Sequence, residues 1–276
     1  SKPDRIYIVA CGSAYHAGVY GSYILRELCD IAAFAETASE FRYGRVPLND
    51  RSLVIIISQS GETADSIAAL NLAKSKGAKT LCIVNVEGST MAQKADMLIY
   101  TKAGAEISVA TTKAYLCQIA VMSLLAVFLA DKKGNLSAES KQNLIKEISG
   151  LYKDIEKELT ANEELCSLAN ELKNAEHIYF IGRNTDYALS LEGSLKLKEI
   201  SYIHCEAYAA GELKHGTISL IENGTPVVAS RSGTVEVVQR SNSGYGNMVL
   251  INHGDGYKTR YAHMISGSIT VRVGEY

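Results

Sequence analysis

A chain of 276 residues, 47% hydrophobic and 21% charged, has enough apolar side chains for a packed core and the length of about two ordinary domains. A formal net charge of −2 offers no basic surface, which argues against nucleic acid or an anionic membrane as partner. Six cysteines, Cys11, Cys29, Cys82, Cys117, Cys166 and Cys205, are scattered without a CxxC pair and read as buried free thiols of a reducing, cytoplasmic compartment rather than a disulfide framework.

The chain opens without a signal-peptide pattern, as SKPDRIYIVACG runs directly into a strand at residues 6–10. The turn Cys11-Gly12-Ser13 follows, and then helical spacing over 17–29. Residues 32–36 suggest a second strand, and ASEFRYG (38–44) starts as a helix. LVIII (53–57) is a third strand. Ala64, Ile67, Ala68 and Leu72 mark one helical face, with Gly77 as its stop. Residues 80–84 and 97–100 supply two more strands. Strands alternating with helices predict the α/β class, a doubly wound, mostly parallel sheet over residues 1–132. AYLCQIAVMSLLAVFLA (114–130) is apolar except for Gln118 and Ser123 and falls short of the roughly 20 residues of a membrane span. It reads as a helix buried in a core or a subunit interface.

Residues 133–173 read as a helical connector with a break near 160–162. HIYFIGRNTD (177–186) then echoes RIYIVACGSA (5–14), which points to an internal duplication, with a helix over 187–202. The second lobe, 174–229, is expected to be incomplete, with only one further strand at 226–229. From 230 to 276 the chain turns β-rich. GTVEVVQ, GNMVLINHGDGYKTRYAHM and SITVRV read as strands punctuated by Gly244, Gly246, Gly254 and Gly256.

In a doubly wound sheet, ligands bind beyond the carboxyl ends of strands, where SQSGET (58–63) lies. Ser58, Ser60 and Thr63 set hydroxyls around a tight turn with Gln59 among them. Gly61 allows close backbone approach, and the next helix directs free N–H groups into the turn. The phosphate of a small molecule fits this arrangement, as does a plain hydroxyl turn with a helix cap. Lys196 and Glu199 (i,i+3), and Glu192 and Lys196 (i,i+4), share a helical face; by spacing alone they are surface ion pairs. His215 alone is an ordinary loop histidine.

SQSGETADS after an apolar strand resembles the phosphosugar-binding SIS domain. ACGSAYHAG, ASEFRYG, EISVATTKAY and LEGSLKLKEISYIHCEAYAAGELKHG narrow the resemblance, over residues 1–229, to the isomerase half of glutamine–fructose-6-phosphate transaminases (isomerising), which make glucosamine 6-phosphate. The resemblance implies that Ser58, Gln59, Ser60 and Thr63 hold the phosphate of a hexose 6-phosphate, that Ser13 offers a hydroxyl to the sugar, and that Val109 lines the same pocket. Ala14 stands where a serine is common in the family. It further implies Glu199 as the base that moves a proton between C1 and C2, a task suited to a carboxylate lifted toward neutrality in a dry pocket. Lys196 is then its neighbour at the sugar. His215 opens the sugar ring from the partner subunit, which makes the assembly a homodimer. No cofactor is implied. The family's glutaminase domain is expected not to precede Ser1, nor its Schiff-base lysine to follow Ala229, so synthesis is expected to be impaired; the alternative is a phosphosugar-binding module without turnover.

Residues from about 224 onward, GTPVVASRSGTVEVV…GYGNMVLINHGDGYKTRYAHM, resemble part of a lysostaphin-like zinc endopeptidase rather than the synthase. That family holds zinc with an upstream His and Asp and a downstream HxH, none of which is found here. His263 matches a catalytic histidine that is not a ligand, and His253 matches no ligand. No metal is expected, and a peptidase is the least supported reading. GTPVVA suits either parent, which suggests a fusion joined at that stretch.

Overall fold

Seven consecutive buried residues, SLVIIIS, make strand β3 (Ser52–Ser58) the centre of the first sheet. The computed structural model describes residues 3–276 except 161, 223, 224, 230, 255, 265 and 268, and leaves aside the side chains of 162, 164 and 263. The chain divides into two units, Ser1–Leu168 and Ala169–Tyr276.

In the first unit, β1 (Arg5–Ala10), β2 (Ala32–Thr37), β3, β4 (Lys79–Val84) and β5 (Met97–Tyr100) form a parallel sheet of order β2-β1-β3-β4-β5. The period of two along the strands sorts their side chains onto two faces. Ile6, Ile8, Ile55, Ile57 and Ile83 pack on one face with helices α1 (Ser13–Cys29) and α5 (Lys113–Lys133). Tyr7, Val9, Val54, Ile56 and Val84 pack on the other with α2 (Ala38–Phe41), α3 (Ala64–Ser75) and α4 (Thr90–Lys94). This is the doubly wound class read from the sequence.

Helix α5 departs from the expectation of burial on all sides. Ala114, Gln118, Met122, Ala126 and Ala130 are buried, while Leu116, Leu124 and Phe128 are exposed on the other side. Its buried face locks onto α1: Tyr20 Oη and Ser123 Oγ are 2.9 Å apart, and Cys29 Sγ donates to the Ala126 carbonyl. By length and hydropathy α5 could cross a membrane, but this packing gives it the role of a core helix. Two helices follow, α6 (Ala138–Thr160) and α7 (Asn162–Leu172); residue 161, in the middle of the expected break, lies outside the described residues.

The second unit repeats the opening device. Strand β6 (His177–Gly182) leads through a turn into α8 (Thr185–Ser201), which has 17 residues as α1 does. The residue before each helix adopts the same backbone: φ 56°, ψ −132° at Gly12 and φ 49°, ψ −120° at Asn184. One expectation is corrected here. After α8 comes a strand that the sequence reading missed, β7 (His204–Ala209), so β8 (Val227–Ala229) is not the only further strand and the parallel sheet has order β7-β6-β8.

The β-rich tail forms a separate antiparallel sheet, order β11-β10-β9, from β9 (Thr234–Gln239), β10 (Asn247–Asn252) and β11 (Lys258–Met264). SITVRV, expected as a strand, is not one among its described residues. Ile269 and Val271 pack into the small core over Val235 and Val249, while backbone bonds join Val235 to Gly274 and Glu275. Both bonds are made by residues just after SITVRV, and among its described residues the segment itself joins no ladder.

All six cysteines are free, but not all are buried: Cys29, Cys82 and Cys205 are, Cys11 and Cys117 are half-buried, and Cys166 is exposed. Burial pushes the Cys82 thiol up to about 12. Because the thiolate is the reacting form, iodoacetamide at pH 8 should label Cys166 first and leave Cys82 unlabelled until unfolding, as read by peptide mass spectrometry. The orientation of α5 gives a second expectation. Met122→Ala, at a fully buried position, should cost about 2–5 kcal/mol in urea unfolding. Leu124→Ala, on the exposed side, should stay within about 0.5 kcal/mol.

Candidate functional site

The chain runs from β1 outward to β2, then returns to place β3 on β1's other side. The turns after β1 and β3 therefore leave the sheet on opposite faces, and a crevice opens between them at the carboxyl ends, the position where this class of sheet takes ligands. A cleft of about 200 Å³ lies there, lined by Cys11, Ser13 and Ala14 after β1, by Ile57 and Ser58 at the end of β3 with Gln59, Ser60 and Thr63 after it, and by Thr111 and Gln118.

The serine-rich turn is built by its own side chains. Ser58 Oγ accepts the Gly61 N–H at 3.0 Å and lies 3.1 Å from Thr63 Oγ1; Ser60 Oγ accepts the Glu62 N–H at 3.2 Å. Gly61 takes φ +67°, a left-handed conformation, and its carbonyl accepts the Met91 N–H. The Gln59 carbonyl accepts the Asn85 N–H, so the turn is tied to the chain after β4. Glu62 accepts the Thr90 N–H, and that bond holds its carboxyl below the usual range. Thr63 is the residue before α3 but makes no side-chain cap bond, and neither does Gly12 before α1. Each of these helices brings backbone N–H groups and positive dipole to the crevice without a side chain closing its end.

Of the expected sugar-phosphate residues, Ser13, Ser58, Gln59, Ser60 and Thr63 are brought together here. Val109 is not among the lining residues; its side chain is fully exposed, and Thr111 represents that loop instead. Gln118 was legible only as a polar break in an apolar run. It is 1% exposed, and its Oε1 has no hydrogen-bond partner among the described residues.

In the second unit, Lys196 bridges two carboxylates on α8. Its Nζ lies 2.5 Å from Glu199 Oε2 and 3.5 Å from Glu192 Oε1. Glu192 is buried, whereas Glu199 keeps 37% of its side chain exposed, so within this unit Glu199 sits in an ion pair rather than in a dry pocket. His215 lies in an exposed turn whose backbone N–H bonds to the Glu212 carbonyl. Asp186, in the first turn of α8, is raised by burial, with Arg231 and His253 pulling it back. In the tail, both ring nitrogens of His253 are engaged, Nδ1 with the Ser232 carbonyl at 2.8 Å and Nε2 with Thr259 Oγ1 at 2.7 Å. The side chain of His263 lies outside the described residues. Among the described residues, no group of three or more His, Cys, Asp or Glu side chains is placed to hold a metal ion.

Sheet order and crevice define an open-sheet α/β domain of the doubly wound class with a hydroxyl-lined cleft at its switch point. The chain belongs to the SIS domain family, whose model matches residues 1–128 and 171–240; the model of Peptidase family M23 matches residues 213–276. It is 51% identical over 227 residues to the glutamine–fructose-6-phosphate aminotransferase (isomerizing) of Clostridium tetani, an alignment covering 82% of this chain and 37% of that protein. The enzyme of the same name from Brucella abortus is 38% identical over 282 residues, 100% of this chain and 46% of its own. That alignment runs through the tail, which the Clostridium tetani alignment, covering 82% of this chain, does not take in whole; the match of the Peptidase family M23 model to the tail agrees with its resemblance to part of a zinc endopeptidase. Among solved structures, the C-terminal domain of glucosamine-fructose-6-phosphate aminotransferase from Francisella tularensis superposes with TM-score 0.80 at 37% identity, covering 82% of this chain and 64% of that one. Glucosamine-6-phosphate deaminase from Thermotoga maritima superposes with TM-score 0.69 at 27% identity, covering 82% and 66%. The chain spans less than half the length of these curated relatives.

The turn geometry yields a stringent test. A Cβ on Gly61 would stand 2.2 Å from Ser89 Oγ and 2.6 Å from Ser89 Cβ, on a backbone already at positive φ. Gly61→Ala should therefore cost about 2 kcal/mol or more in urea unfolding and abolish fructose 6-phosphate binding in calorimetric titration. A variant that binds like the parent would show that the turn does not form the site.

Proposed function

We propose that this chain is the isomerase part of a glutamine–fructose-6-phosphate aminotransferase, and that the first unit binds the phosphate of a hexose 6-phosphate. One observation carries the reading: Ser13, Ser58, Gln59, Ser60 and Thr63 converge on one cleft beside two helix N-termini that no side chain caps. Hydroxyl and amide donors, backbone N–H groups and helix dipoles are what a phosphate dianion needs, and they act without a basic side chain. The names of the relatives support the same substrate class. Glu199 is the base for proton transfer between C1 and C2. Lys196, within hydrogen-bonding distance of it, orients that carboxylate, and His215 assists ring opening. The working form is a homodimer in the cytoplasm, a compartment that suits the six free thiols.

Charge-assisted hydrogen bonds contribute about 1.5–3 kcal/mol each, so two of them separate a sugar phosphate from its free sugar by roughly 100-fold or more in affinity. Calorimetric titration should show fructose 6-phosphate binding and fructose failing to bind at the same concentration; equal affinities would refute the phosphate site. Glu199→Gln should reduce hydrogen exchange at C2 of glucosamine 6-phosphate in deuterated water by about 10²–10⁴-fold while leaving fructose 6-phosphate affinity unchanged. Exchange at the parent rate in that variant would remove Glu199 from the chemistry and leave the binding reading intact.

A further inference from the structure

His177 opens β6 and His204 opens β7, and the parallel register sets the two directly opposite each other. They stand at the amino ends of their strands, the far end of this sheet from the turn that leads into α8. Both are exposed, with 53% of the His204 side chain open to solvent. Their rings meet edge to face, centroids 5.1 Å apart and planes at 88°, and the two Nδ1 atoms approach to 3.2 Å. Two imidazole nitrogens bound to one tetrahedral ion at about 2.0–2.1 Å lie roughly 3.3 Å apart. The second nitrogen of His204 is also provided for. Its Nε2 faces Glu206 Oε1 at 3.8 Å, and the other oxygen of that carboxylate accepts the Tyr208 hydroxyl. A carboxylate behind the distal nitrogen of a histidine is the arrangement that fixes ring and tautomer for a metal ligand.

We propose that His177 and His204 form a two-histidine chelate for a divalent ion of the nickel–copper–zinc group, bound through both Nδ1 atoms, with Glu206 positioning His204 through Nε2. Imidazole nitrogen is the ligand type these ions prefer. Since no third His, Cys, Asp or Glu joins the pair among the described residues, the remaining coordination positions belong to water. The site is separate from the residues given to sugar phosphate chemistry. Without metal, the same contact is a hydrogen bond between one neutral ring and the other, and protonation of both rings opposes the ion.

Titration of the full chain with Ni²⁺ in metal-free buffer at pH 7.5 tests this. One ion per chain is expected. His177→Ala and His204→Ala should each remove that binding, and Glu206→Gln should weaken it roughly tenfold. On the unsubstituted chain, Zn²⁺ up to one equivalent should shift the Nδ1 resonances of both histidines together in ¹⁵N-detected imidazole spectra. This measurement decides the matter even if a variant folds poorly. Parent-like Ni²⁺ binding in a folded His177→Ala or His204→Ala chain, or Nδ1 resonances that stay in place at one equivalent, would overturn the proposal.

Discussion

The placement of β1 between β2 and β3 is the constraint on which the first unit depends. A right-handed connection from β1 to β2 and another from β2 back to β3 must send their helices to opposite faces of the sheet. The turns leaving β1 and β3 then diverge, and the crevice between them follows from chain direction, whatever lines it. Chemistry enters through what occupies those turns. β3 is buried along its whole length, so it cannot shift to accommodate a poor turn. The turn must close within a few residues, which Gly61 achieves at positive φ against Ser89. The hydroxyls of Ser58, Ser60 and Thr63 complete the local bonding while still facing the cleft.

Much of this was legible because the signals were strong and local. Runs of β-branched residues gave the strands of the first sheet, and the serine-rich turn stood out against them. β7 escaped notice because its inward positions are Cys205, Ala207 and Ala209, small side chains that give a weak alternation, while His204, Glu206 and Tyr208 alternate on the other side. The half-exposure of α5 could not be read at all: apolar residues surround its axis, so the sequence does not say which side meets α1. SITVRV shows the converse failure. It has the alternation of a strand, but a strand exists only with a neighbour, and the backbone bonds to β9 are the two between Val235 and Gly274 and Glu275, just beyond the segment. Within the site, the residues of the turns after β1 and β3 were found, and those delivered by later segments were not. Thr111 and Gln118 come from a loop and a helix far along the chain, and only tertiary packing brings them to the cleft.

Two resemblances meet in the second unit, and the structure keeps their β-sheets distinct. The parallel sheet β7-β6-β8 ends at the short strand β8, and the antiparallel sheet of the tail builds its own ladder instead of extending it. Asp186 on α8 feels Arg231 and His253, and Tyr261 on β11, raised chiefly by burial, feels Asp186 and Arg183. A half-buried carboxylate on α8 thus lies in the field of an arginine and a histidine of the tail.

The duplication finally shows why the geometry proposed for an anion arises in one place and not in the other. β1-α1-β2 and β6-α8-β7 share helix length, strand register and even the positive φ before the helix, so the first half of the device is the same twice. The copies part after the third strand. β3 runs into SQSG and then α3, whose first N–H groups and dipole point back at the hydroxyls. β8 is followed by SRSG, a similar set of side chains, but the chain there enters β9, an extended strand. A strand end has no fan of unpaired N–H groups and no aligned dipoles to gather negative charge. Residue type alone therefore does not make the turn proposed for phosphate; the helix that follows does, and among the described residues only the first copy has it.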